Sequence, residues 1–332
     1  MQALLSVKNL SVTYISQDGR RAPLKAVNDV SLDVHRQQSL GVVGESGSGK
    51  STLMHAILRV LNPKTAKVSG SVYLDGTELL GMSNAELFNV RWKEMAVVFQ
   101  KSMNALSPVH RIGAFMADIY KVHRAGATSD EAKKRVAELL AMVSLPERVA
   151  RMYPHELSGG MMQRVSIALS LMFNPKLLIM DEATTALDVV TQTQILEEIR
   201  GLERDLELTR VMVTHDMSVV ASNCDNVAIM YAGRMMESGP VKSVLVEPLH
   251  PYTRCLIESF PDFADDPNEE LKSIGGSLPD LRNPVPGCVF APRCPQAAPD
   301  CFADEPDMRE YGKGRRAACH YVNGDDSGGK ND

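Results

Sequence analysis

Two short segments carry the chemistry open to this sequence. The first is Gly44-Glu45-Ser46-Gly47-Ser48-Gly49-Lys50-Ser51, followed by Thr52. Glycines at the first, fourth and sixth places let a backbone curl until its N–H groups face one point. Such a curl suits a polyphosphate: amides cradle the chain, Lys50 reaches the β and γ phosphates, and Ser51 reaches Mg²⁺. The second segment is Asp181-Glu182, which ends the apolar run Leu177-Leu178-Ile179-Met180. Asp181 is placed to hold Mg²⁺, directly or through water, and Glu182 to polarise an attacking water as general base. Carboxylates ahead of a helix are often plain caps. A carboxylate at the carboxyl end of a buried strand, however, lies where α/β proteins bind ligands.

Strands and helices must position these groups. Residues 4–14 and 30–43 read as strands, and Leu40-Gly41-Val42-Val43 feeds straight into the glycine loop. A helix begins near Lys50 and carries Leu53, Ile57, Leu58 and Leu61 at helical spacing, until Pro63 stops it. Residues 68–74 read as a strand, turned by Asp75-Gly76. Ala96-Val97-Val98-Phe99 is a further buried strand, ending at Gln100. From about 101 to 165 the pattern is helical, with Val136, Leu139, Leu140 and Val143 on one face after a start at Ser129-Asp130-Glu131. The runs 177–180 and 211–214 are continuously apolar, as in parallel strands buried on both faces. Strands alternating with helices predict an α/β sheet with an inserted helical segment.

Composition narrows the class. The 332 residues suggest one large domain with an appendage, or two domains. A net charge of −5 argues against nucleic acid as a partner, since duplex binders carry a basic surface. The apolar stretch 165–173 is far short of the ~20 residues that span a bilayer, and the first residues carry no signal-like pattern. The expectation is a cytoplasmic chain that reaches a membrane only through partners. Eleven of the 18 prolines and five of the six cysteines lie after residue 247, which predicts a separate loop-rich domain there. The polar end, 323–332, reads as disordered.

Between the two chemical segments stands Leu157-Ser158-Gly159-Gly160-Met161-Met162-Gln163-Arg164. In this order and spacing the chain resembles the ATPase subunits of ABC transporters, over roughly residues 4–240. The resemblance implies a P-loop ABC ATPase: a RecA-like core with an antiparallel β subdomain, an inserted helical subdomain at about 101–165, and a boundary near 249. It implies that Leu157, Ser158, Gly159, Gly160 and Gln163 touch ATP held by another subunit. Gln100 matches the glutamine that senses the γ-phosphate and Mg²⁺ and faces the membrane subunit. Ala186-Leu187-Asp188 matches the loop crossing the dimer interface, His215 the switch histidine at the γ-phosphate, and Tyr14 the aromatic stacked on adenine. Alone, such a histidine is more often a polar cap and such a tyrosine more often packing. One departure stands out: Ala183 follows Glu182 where many members have proline, which would restrict that turn.

Cys288, Cys294, Cys301 and Cys319 follow C-x5-C-x6-C-x17-C. Four thiols so close in a reducing compartment point to metal. Structural zinc commonly takes tighter pairs, whereas iron–sulfur clusters accept wider spacing, and the thiols alone leave both open. The surrounding residues, with His250-Pro251-Tyr252-Thr253 at the start, are similar to the C-terminal extension of dipeptide and oligopeptide importer ATPases. That resemblance implies a small loop-rich domain at 250–322 and favours a [4Fe–4S] cluster over Zn²⁺, with Arg293, Arg315 and Arg316 offsetting its charge. His320 is a weaker alternative ligand, and Cys224 and Cys255 read as packing residues. The implied partners are a second, related ATPase, two transmembrane permease subunits and, indirectly, a solute-binding protein, at the cytoplasmic face of the inner membrane. Peptides lead as the solute; nickel, opines and oligosaccharides use similar ATPases. Two other classes compete: a soluble ABC ATPase of DNA repair or translation, which would carry two cassettes or long insertions, and an iron–sulfur redox protein, which would need a redox partner.

Overall fold

The computed structural model describes residues 2–16, 22–99, 106–185, 187–260, 274–283 and 286–322. Backbone contacts divide the chain into two compact units, one built mainly from 81–212 and the other from 3–34, 39–80 and 213–332.

The second of these holds the glycine loop. Strands β1 (Ala3–Tyr14), β2 (Leu24–His35), β4 (Ala66–Leu74) and β5 (Thr77–Glu78) form a four-stranded sheet in the order β2-β1-β4-β5. β1 runs antiparallel to β4, with Leu5 opposite Leu74 and Val7 opposite Val72. The β1 residues Leu5, Val7, Leu10 and Val12 are all buried. The predicted continuous strand 30–43 is in fact two strands. The turn between β2 and β3 (Ser39–Val43) places Gln37 at φ +60° and lets the Gln38 N–H donate to the His35 carbonyl. β3 pairs parallel with β9 (Asn226–Tyr231), so that Val43 lies opposite Ile229 at the mouth of the glycine loop. β9 returns antiparallel as β10 (Arg234–Pro240) through Ala232 and Gly233, both at positive φ, the turn type that matches strand twist. The short strands β11 (Arg309–Glu310) and β12 (Arg316–Ala317) extend this sheet from β10. Helices α1 (Lys50–Ile57), α7 (Met217–Asn223), α8 (Val241–Val246), α9 (Pro251–Glu258) and α10 (Pro299–Ala303) complete the unit.

The other unit is mostly helical: α2 (Asn84–Val90), α3 (Ile112–His123), α4 (Ser129–Met142), α5 (Gly159–Ser170) and α6 (Val189–Asp205). α2 and α4 begin with capping boxes: Ser83 and Thr128 accept the third amide of the helix, and Glu86 and Glu131 reach back to the cap amides. Strands β6 (Met95–Phe99) and β7 (Leu177–Asp181) pair parallel, in register from Met95 opposite Leu177 to Phe99 opposite Asp181. Every residue of β7 is buried, which explains its unbroken apolar run. β8 (Thr209–Thr214) neighbours β7, and its chain passes from one unit to the other at Met212. Among the described residues no helix is long and apolar enough to cross a membrane.

Candidate functional site

The glycine loop leaves β3 and enters α1 as the sequence requires. Gly44 has φ +155°, and a Cβ there would stand 2.0 Å from the Met230 carbonyl oxygen. Gly49 has φ +100°, and its Cβ would stand 2.3 Å from the Ala26 carbonyl oxygen. No side chain other than hydrogen fits either place. Ser48 is buried, its N–H donates to the Glu45 carbonyl at 3.1 Å, and its own carbonyl accepts the Gly233 N–H at 2.9 Å. The hairpin turn between β9 and β10 thus braces the loop. Lys50 is buried, and its Nζ donates to the carbonyls of Gly44 and Glu45 at 2.7 and 2.9 Å. Those bonds hold an ammonium inside the curl. Gly49 caps α1 without a side-chain acceptor and no acid occupies the first turn, so the helix end keeps its anion-attracting potential. Ser46 and Gly47 are exposed, and Ser51 and Thr52 half-buried. The Tyr14 hydroxyl lies 3.3 Å from the Thr52 hydroxyl, which puts the predicted aromatic beside the start of α1. His215 is exposed immediately after β8, ahead of Asp216, which caps α7 by accepting two amides.

The other unit holds the remaining polar candidates. Asp181 ends β7 and is 5% exposed. Glu182 follows at φ +48°, a left-handed conformation that costs a non-glycine residue about 1 kcal/mol or more. The Thr185 hydroxyl holds that turn by donating to the Glu182 carbonyl at 3.0 Å, and Ala183 is buried beside it. Ser158 caps α5 by accepting the Met161 N–H at 3.3 Å. Leu157 and Gln163 are buried, whereas Ser158 is exposed. A Cβ on Gly160 would meet the Thr191 methyl at 2.7 Å, and one on Gly159 would lie 3.8 Å from Leu187. The signature segment and the Leu187-Asp188 loop therefore share one surface. Asp188 caps α6, and the Thr191 N–H it accepts holds its carboxyl below the usual range. Gln100 and Ala186 lie outside the described residues.

Cys288, Cys294, Cys301 and Cys319 line one small cavity together with Phe290 and His320. Cys288 donates its N–H to the Cys301 carbonyl at 2.8 Å, and Gly287 packs so closely on Cys301 that a Cβ would stand 2.4 Å from its oxygen. The fold itself thus converges the four thiols. Burial pushes the thiols of Cys288 and Cys294 up, and that of Cys319 up to about 11, with the neighbouring sulfurs adding to the rise. Even so, among the described residues no group of three or more His, Cys, Asp or Glu is arranged to hold a metal ion. The predicted metal site is therefore present as a convergence of thiols and not as a finished ligand set. Nε2 of His320, the weaker candidate, lies 3.0 Å from the Asp304 carbonyl. Two of the three arginines expected to offset a cluster's charge pair with carboxylates instead: Arg293 with Glu45, and Arg315 with Glu237 and Glu247. The sequence did not reveal the Arg293–Glu45 pair, whose partners stand 248 residues apart.

A strand, a glycine loop and a helix, with a lysine folded into the curl, form a cradle suited to a polyphosphate. Residues 27–185 match the family model for ABC transporters, and residues 236–301 that for the C-terminal region of oligopeptide/dipeptide transporters. The oligopeptide transport ATP-binding protein OppD of Escherichia coli is 40% identical over 319 residues, covering 96% of this chain and 93% of that protein. The dipeptide transport ATP-binding protein DppD of the same organism is 38% identical over 321 residues, covering 96% and 97%. A solved dimeric bacterial ABC transporter cassette, MJ0796, superposes with a TM-score of 0.64 at 30% identity, over 71% of this chain and 98% of that one. The chain belongs to the ABC transporter family, in its group of oligopeptide/dipeptide ATP-binding subunits. It has the P-loop ABC ATPase fold and is an ATPase.

Proposed function

We propose that this chain hydrolyses ATP to power import of dipeptides or oligopeptides, from the cytoplasmic face of the cell membrane, where two permease subunits hold it. One observation carries the reading: likeness to OppD and DppD runs through the cassette and the extension alike, over 96% of the chain. In this reading the cassette spans 1–249, and 250–322 is an appendage that belongs to the same compact unit as the glycine loop.

The residues then take these roles. The loop amides and Lys50 bind the ATP phosphates, and Tyr14 flanks the base. Ser51 and Asp181 offer the hard oxygen ligands that Mg²⁺ prefers, with Gln100 completing them. Mg²⁺ would neutralise charge on the β and γ phosphates. Glu182 accepts a proton from the attacking water, and its left-handed backbone fixes where that carboxylate starts. His215 contacts the γ-phosphate. The exposed Ser158 cap and the glycines of α5 present amides to the ATP of a second, related ATPase, and Leu187-Asp188 crosses to it. A cassette solved as a dimer supports that pairing. Cys288, Cys294, Cys301 and Cys319 would be the thiolates that hold a [4Fe–4S] cluster, with Zn²⁺ as the alternative occupant. Four thiols around one cavity support the donor set, and a bound cation would reverse the upward push on the thiols of Cys288, Cys294 and Cys319.

Two measurements test this. Co-expressed with its neighbouring subunits, the chain should co-purify with permeases, and peptide should raise ATP turnover in vesicles. Stimulation by nickel or an oligosaccharide but not by peptide would sink the peptide reading. Anaerobically purified protein should absorb broadly near ~400 nm. Zinc with no such band would sink the cluster.

A further inference from the structure

The phosphate loop is held from outside by residues far beyond the cassette match. Arg293 lies in the turn between Cys288 and Cys294, and its side chain is 6% exposed. Its Nη1 donates to both carboxylate oxygens of Glu45, at 3.1 and 3.0 Å, and to the Tyr231 hydroxyl at 3.1 Å. Its Nε and Nη2 donate to the carbonyls of Gly275 and Ile274 at 2.7 and 3.0 Å. The guanidinium also lies 5.6 Å from the centre of the Tyr231 ring. On the main-chain side, the Tyr252 hydroxyl accepts the Glu45 N–H at 3.1 Å. Leu278 stands 3.5 Å from where a Cβ on Gly47 would be. The second and fourth residues of the loop therefore meet the extension.

We propose that Arg293 is a positioning residue of the ATP site: by fixing Glu45 it holds the first turn of the phosphate loop in its binding shape. The inference rests on reading that loop as the ATP site. A guanidinium is suited to the task, because its planar fork grips a carboxylate and two carbonyls at once. The loop then need not be ordered by the nucleotide, and the ordering cost is not drawn from binding energy.

The test measures affinity for a fluorescent ATP analogue on the full chain, with a thermal melt beside each variant. Arg293→Ala should weaken binding about tenfold, the scale of one charge-assisted link. Glu45→Gln, which keeps shape and removes charge, should weaken it comparably. The double variant should lose no more than the worse single one, since both break the same link. Arg293→Lys should recover only part. Glu305→Gln releases Arg234, another tie of the extension, without touching the loop, and should leave affinity unchanged. Affinity within twofold of wild type in Glu45→Gln would overturn the proposal, even if Arg293→Ala fails to fold. So would additive losses, or an equal loss in Glu305→Gln. Failure of the unaltered chain to bind the analogue would instead overturn the ATP site itself.

Discussion

Gly44→Ala tests the phosphate loop at its tightest point. The new Cβ would stand 2.0 Å from the Met230 carbonyl oxygen and 2.9 Å from the Ser48 hydroxyl. A carbon settles no closer than about 3.3 Å to such an oxygen. Either the loop or β9 must therefore give by roughly 1.3 Å, and β9 is locked by pairing on both sides. A displacement of about 1 Å at a reacting geometry costs on the order of 100-fold. The expectation is a fall of about that size in kcat/KM for ATP, with most of it in affinity. Gly76→Ala is the control. It also places alanine at positive φ, +79°, but nothing lies within 4 Å of its Cβ. It should cost about 1 kcal/mol of stability and leave turnover alone. ATP titration by calorimetry and steady-state hydrolysis, side by side on both variants, decide the matter. If Gly44→Ala binds ATP within twofold of wild type, the loop is not rigidly seated against β9 and the reasoning fails.

Two further perturbations reach other parts of the protein. Glu182→Gln should abolish hydrolysis, by 100-fold or more, while ATP still binds; undiminished turnover would remove Glu182 as the base. His250 is buried, and burial pushes its pKa down to about 3. Its Nδ1 accepts the Tyr252 N–H at 2.9 Å to cap α9, which only the neutral ring can do. A folded pKa below the unfolded ~6.5 gives stability that is present above pH 6.5 and is lost as pH falls toward 3, at up to about 1.4 kcal/mol per pH unit. Buried Glu237, its carboxyl pushed up by burial, acts in the opposite sense. His250→Asn keeps an acceptor at the cap and keeps Glu237, so its melting temperature should fall less than that of wild type between pH 7 and 5. Equal slopes would count against a neutral buried histidine.

The parts legible in the sequence are those where a local rule fixes the residue. Gly44 and Gly49 are demanded by backbone angles and by carbonyls that leave no room, so their spacing betrays the loop. The all-apolar stretch 177–180 betrays a strand covered on both faces. The break between β2 and β3 did not show, because it depends on one left-handed residue, Gln37, inside a strand-like pattern. Helix α2 also escaped, although Ser83 and Glu86 spell a capping box that could have found it. The least legible feature was the pairing of Arg293 with Glu45. An arginine beside cysteines invites a reading in terms of the cysteines, and no periodicity links residues so far apart in the chain.

The short strand β12 has a consequence for experiments on the extension. It covers the flank of β10, with Glu237 opposite Ala317, and the Ala318 N–H reaches the Met236 carbonyl at 2.8 Å. A chain cut short of β12 would leave β10 as a bare edge, beside Met235 and Met236, which are buried in the intact fold. Bare edges recruit strands from other molecules. Truncation would therefore produce self-association that has nothing to do with thiols or ATP. Single substitutions at Cys288, Cys294, Cys301 or Cys319, which keep that edge covered, are the cleaner way to ask what the cavity does.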